Sequence, residues 1–165
     1  MKYTVSTSFG NFTLSLFPED APATVKNFSA YVEENFYNST IFHRVIDGFM
    51  IQGGGFDKNL EEKSTKEAIQ NEANNGLSNK ALTIAMARTS EPHSASSQFF
   101  INLVDNTFLD FNEETSDGWG YAVFGEVIEG QETIFKIGKV QTGTRGFFQD
   151  VPVKPIEIQK ISKLK

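Results

Sequence analysis

A mostly-β fold, a closed or nearly closed sheet accompanied by two helical stretches, is what this sequence predicts. Three observations carry that expectation. Many short runs alternate apolar and polar residues with a period of two, turn residues separate those runs, and only two stretches adopt the helical period.

The first two runs, "KYTVSTS" and "NFTLSLF", keep Tyr3 and Val5 and then Phe12, Leu14 and Leu16 on one face, and they read as a hairpin turning at Gly10-Asn11. The period then changes. In "PEDAPATVKNFSAYVEENF", Val25, Phe28, Tyr31 and Val32 fall on one stripe, Asp20 is placed to cap and Pro22 is tolerated in the first turn. A helix of about 13 residues is expected there. "TIFHRVI" and "GFMIQGG" read as strands split by the Asp47-Gly48 turn. Residues 57–80 are polar and aperiodic, a loop long enough to be functional or ordered by its own contacts. "ALTIAMA", "SQFFINL", "YAVFGEV" and "KPIEIQKI" read as further strands, with a short helix in "GQETIFKIG". At 165 residues, 39% of them apolar, one domain spanning 1–165 is expected.

Composition removes several function classes. No apolar run approaches the ~20 residues of a membrane helix, and the amino terminus lacks the layout of a secretory signal, so a soluble chain free of membrane partners is expected. Cysteine is absent, which rules out disulfides, thiolate nucleophiles and cysteine-based metal sites and fits the cytoplasm. A net charge of −6 without clustered Lys or Arg argues against nucleic acid. His43 and His93 have no partners at metal-ligand spacing, no G-x-S-x-G elbow exists, and Gly53–Gly55 do not continue into a phosphate loop. Neither metal nor cofactor is expected, and the glycines read as a bulge or sheet corner.

Strand geometry supplies the positive signal. It sets Met50 and Gln52 on one side, opposite Phe49 and Ile51, and Gln98 and Phe100 on one side, opposite Phe99 and Ile101. The 47–48 turn brings Arg44 back beside them. Alone, each polar residue reads as a solvated or structural group. Together with Met50 and Phe100 they describe an apolar pocket with a few directed polar groups.

The segments "FHRVIDGFMIQGGGF", "SQFFINLVDNTFLDF" and "GYAVFGEVIEG" resemble the signature segments of the cyclophilins, above all the compact bacterial type, and the resemblance runs over essentially the whole chain. It implies an eight-stranded antiparallel closed barrel capped by two α-helices, with the site on the barrel's outer face. It further implies that Arg44 is the catalytic arginine, held by Gln52, and that Phe49, Met50, Phe100 and Leu109 form a proline pocket. Gln98 matches a residue that contacts the substrate backbone, and Ala87 and Arg88 lie where an extended substrate pairs. Phe108, Arg88 and Tyr121 stand where the family often has tryptophan, asparagine and histidine. Loss of the indole N–H at 108 implies weak binding of cyclosporin-like cyclic peptides. The implied partners are proline-containing peptides and unfolded or folding proteins, met by a monomer.

The implied reaction, rotation about the X–Pro bond, breaks no covalent bond, which agrees with the missing nucleophile and metal. Its barrier of about 18–20 kcal/mol reflects the partial double bond of the amide, and a donor aimed at the prolyl nitrogen favours the twisted state over both planar isomers. Two rival readings stand beside it. One is a non-catalytic proline-binding or chaperone module, which needs the pocket but not the aimed donor. The other is a β-barrel carrier with an internal ligand, which needs a hollow interior.

Overall fold

The computed structural model describes residues 1–165. The alternating runs become strands β1 (Lys2–Thr7), β2 (Gly10–Leu16), β3 (Thr40–Ile41), β4 (Arg44–Ile46), β5 (Met50–Gly53), β6 (Thr83–Met86), β7 (Phe99–Asn102), β8 (Val123–Glu129), β9 (Thr142–Arg145), β10 (Phe148–Pro152) and β11 (Glu157–Lys163). The helices are α1 (Pro22–Glu33) and α2 (Gln131–Gly138). Nine strands form one antiparallel sheet in the order β3-β11-β1-β2-β8-β6-β7-β5-β4.

The two ends of that order, β3 and β4, are consecutive in the chain and separated only by Phe42 and His43. Residues 40–46 therefore pair with β11 at one end and β5 at the other, and the sheet curls into a ring. Counted as one bent strand, this segment gives the expected eight. Ile41, Phe42 and His43 are all buried, so the period of two fails where the segment crosses between its two partners. Backbone bonds from Ile41 N to Phe56 O and from Phe42 N to Ile156 O, both 3.0 Å, secure the crossing.

Three local expectations change. The first hairpin turns at Ser8-Phe9, because Thr7 and Gly10 are already paired; Gly10, at φ +125°, belongs to β2. The α1 N-cap position is Ala21, not Asp20, and no side chain adjoining the helix caps it. Glu72, from the long polar segment, does so instead: its Oε1 accepts from Thr24 N at 2.7 Å and Thr24 Oγ1 at 2.6 Å, and its Oε2 from Ala23 N at 3.3 Å. The β9–β10 hairpin is one that alternation does not predict. Its register shifts between Phe148 and Val151, and that irregularity hides the period of two.

The barrel interior is filled. Phe28 of α1, fully buried, lies 5.4–5.9 Å from the rings of Tyr3, Tyr37, Phe99 and Phe124, at the centre of a 27-residue apolar cluster. A carrier with an internal ligand is excluded.

Candidate active site

Antiparallel register builds one row of side chains across the outside of the barrel. Arg44 on β4 opposes Gln52 on β5, Gln52 opposes Phe100 on β7, Phe100 opposes Ala85 on β6, and Ala85 opposes Val123 on β8. Directly opposed residues share a face, so the row runs from a cation through an amide to an apolar floor. Met50, Ala85, Phe100 and Val123 form a second buried cluster, separate from the interior one.

The pocket above this floor has a volume of about 140 Å³ and is lined by Arg44, Phe49, Met50, Gln52, Ala87, Arg88, Phe100, Leu109 and Tyr121. Strand alternation predicts Phe49 opposite Met50. Phe49 instead precedes β5 in the turn, is freed from the pleat, and packs with the outer cluster. Phe108, 73% exposed, does not line the pocket; its ring stacks on Phe49 with centroids 5.8 Å apart and planes 25° apart. Gln98 stands in the adjoining polar hollow with Glu62, Thr89, Ser94 and Ser96.

A short relay of hydrogen bonds sets the cation. Gln98 Oε1 accepts from Gln52 Nε2 at 2.9 Å, which leaves Gln52 Oε1 as the acceptor facing Arg44 Nη1 at 3.5 Å. The amide orientation of Gln52 is thereby fixed from behind. Gly55 makes room for this relay, since a Cβ there would collide with the Gln98 side chain. Gly53 likewise packs against the backbone of residues 41 and 42, and Gly54, at φ +89°, against the Phe99 and Tyr37 rings.

Sequence reasoning missed the layer beneath the pocket. Asn79, Asn102 and Asn106 are buried and connected: Asn102 Nδ2 donates to Asn79 Oδ1 at 3.1 Å, and Asn106 Nδ2 to Asn102 Oδ1 at 2.8 Å. Asn106 also donates to Phe49 O at 3.0 Å, and Asn79 to Leu109 O and Tyr121 O, both at 3.3 Å. Three walls of the pocket hang from this network by their backbone carbonyls, and such satisfied buried amides are rigid supports. The one local signal is Asn102, an amide inside the apolar run "FFINLV"; Asn79 and Asn106 sit among polar neighbours and give none. His43, next to Arg44, is also buried; burial and then the neighbouring Arg44 charge lower its pKa to about 4, so it is neutral near pH 7.

Residues 2–163 match the family described as cyclophilin type peptidyl-prolyl cis-trans isomerase/CLD. The chain is 55% identical over 159 residues to peptidyl-prolyl cis-trans isomerase B of Escherichia coli, covering 96% of this chain and 97% of that protein. It is also 55% identical over 155 residues to the peptidyl-prolyl cis-trans isomerase cyp18 of Streptomyces antibioticus, covering 94% and 93%. A cyclophilin-type isomerase of Cryptosporidium parvum, crystallised in the presence of the dipeptide Ala-Pro, superposes with a TM-score of 0.85 at 26% identity, covering 100% of this chain and 99% of that one. With matched family segments, near-complete coverage and a filled antiparallel barrel, the chain belongs to the cyclophilin-type peptidyl-prolyl cis–trans isomerases.

Proposed function

We propose that the chain accelerates rotation about X–Pro bonds by seating the proline ring on Met50 and Phe100, between Phe49 and Leu109, while Arg44 donates to the prolyl nitrogen as the amide twists. One observation carries this reading: a guanidinium oriented by a glutamine relay beside a small apolar pocket. A pocket of that size suits a ring rather than a drug-sized ligand, for which ~300 Å³ or more is usual. Twisting removes amide resonance and makes the prolyl nitrogen more basic, so the donor binds the twisted state more strongly than either planar isomer. A thousandfold acceleration requires about 4 kcal/mol of that difference. One charge-assisted hydrogen bond, with a donor already oriented, supplies a large part of it. Lowering the one barrier speeds both directions equally, so the equilibrium itself is unmoved.

Ala87, Arg88 and Gln98 bind the substrate backbone on the polar side of the pocket, with Tyr121 beside Arg88, and Phe108, stacked on Phe49, meets the substrate just outside the pocket. The substrates are proline-containing peptides and unfolded or folding proteins, and the chain works as one domain, 1–165, monomeric and cytoplasmic. Cyclosporin-like cyclic peptides bind weakly, because Phe108 offers no N–H donor. The decisive experiment is exchange spectroscopy on an Ala-Pro peptide. Arg44→Ala lowers the exchange rate by roughly 10- to 1000-fold without changing the unfolding midpoint; near-wild-type exchange would sink the mechanism and favour a module that only holds proline.

A further inference from the structure

Arg44 and Arg88 both line the proline pocket, and no carboxylate does. In a chain of net charge −6 this local excess of cations runs against the overall composition. Arg88 forms no ion pair. Its Nε donates to Gly120 O at 3.0 Å and its Nη1 to Thr89 O at 2.8 Å, while its guanidinium carbon lies 4.4 Å from the centroid of the Tyr121 ring. Those three contacts fix the plane of the group, and Nη2 keeps no partner within the protein. The side chain is half-buried. A fixed, partly desolvated guanidinium loses little entropy on meeting a carboxylate and is less screened than a surface lysine.

Acidic residues enter only beyond the pocket. Glu62 lines the polar hollow that continues past Ala87, and Asp117 and Asp110, the latter already accepting from Ser78 and Asn79, line the hollow past Tyr121; Arg88 borders both hollows as well. A carboxylate on the substrate therefore meets two arginines and no acid at the pocket, whereas one step further along an extended chain, where each residue advances about 3.3 Å, an acidic side chain offsets the attraction of Arg88. We infer that Arg88 makes the enzyme selective for substrates with an acidic residue directly adjoining the proline, and not two or more residues away.

This inference rests on the isomerase reading of the pocket, and its test separates the two. Short peptides carrying Glu immediately before the proline, immediately after it, or two residues away are compared with their Gln counterparts, both by Kd from NMR titration and by exchange rate. At one of the adjoining positions Glu binds about 3- to 10-fold more tightly than Gln, the size of one partly screened ion pair; two residues away it gains nothing. The ratio falls towards one in Arg88→Gln and at high salt, and is retained in part by Arg88→Lys. Equal Kd values for Glu and Gln in the wild type overturn the inference, as does a preference that Arg88→Gln leaves intact, since that would assign it to Arg44. Absence of exchange with every peptide would overturn the isomerase reading, and the binding ratio would still decide the role of Arg88.

Discussion

Arg44 and His43 are neighbours in sequence with opposite demands on charge. Arg44 is exposed, and its guanidinium stays protonated. His43 is 6% exposed, its ring lies 4.6 Å from that of Phe56, and its Nδ1 has no hydrogen-bond partner. Charging this imidazole would place a second cation in an apolar setting beside the first, which is why its pKa falls to about 4. An unfolded chain protonates the same histidine near pH 6.5. Between those values the unfolded state binds more protons, so stability is fully present above about pH 6.5 and drains away as the pH falls through about 4. The full effect is roughly 3 kcal/mol. Chemical denaturation at pH 7 and pH 4 therefore shows a larger acid loss in the wild type than in His43→Gln; equal losses would mean that His43 is not held neutral by the fold.

At the scale of elements, the segment 57–80 has no period of its own, yet it determines how α1 begins. Glu72 reaches across to accept from the first-turn N–H groups of α1 and from Thr24 Oγ1, satisfying donors that no neighbouring side chain meets. An anion at that end also meets the positive pole of the helix. Glu72→Ala is expected to cost about 1–2 kcal/mol, the upper range for an N-cap, whereas Asp20→Ala, the local candidate, is expected to be nearly neutral; thermal unfolding of the two variants distinguishes them. The contrast marks the limit of what was legible. Strands with clean alternation, and helices with a buried stripe such as Val25, Phe28, Tyr31 and Val32, could be read because their signals are local. The Glu72 cap on Thr24, the Asn102 bond to Asn79 and the room that Gly55 leaves for Gln98 join residues far apart in the chain, 48 positions in the first case and 23 in the second, and no local pattern encodes such pairs. Arg44 and Gln52 could be placed beside Phe100 because one turn and one register relate them. Alternation alone sets Phe49 on the wrong side, because the period does not hold one residue before β5 begins, whereas the resemblance puts it among the pocket residues, where it lies.

For the whole molecule, the curled sheet has two apolar faces that do different work. Inside, Phe28 and its aromatic neighbours hold the ring closed; outside, Met50, Ala85, Phe100 and Val123 form the floor of the pocket. Phe99 and Phe100 show how sharply the faces are divided, being adjacent in β7 and belonging to different clusters. Removing a ring from the interior leaves a cavity that a closed barrel cannot collapse, because the pairing of its strands fixes its girth. Phe28→Ala should then cost about 3–5 kcal/mol of stability. Exchange catalysis, measured well below the lowered unfolding midpoint and expressed per folded molecule, should remain close to that of the wild type, since the register that aligns Arg44, Gln52 and Phe100 is set by backbone pairing. Phe100→Ala should lose exchange out of proportion to its loss of stability, because it removes the surface on which the proline ring rests. If Phe28→Ala lost catalysis as steeply as Phe100→Ala while still folded, the two faces would be mechanically coupled through the sheet, and the pocket could not be treated as a site carried on an independent scaffold.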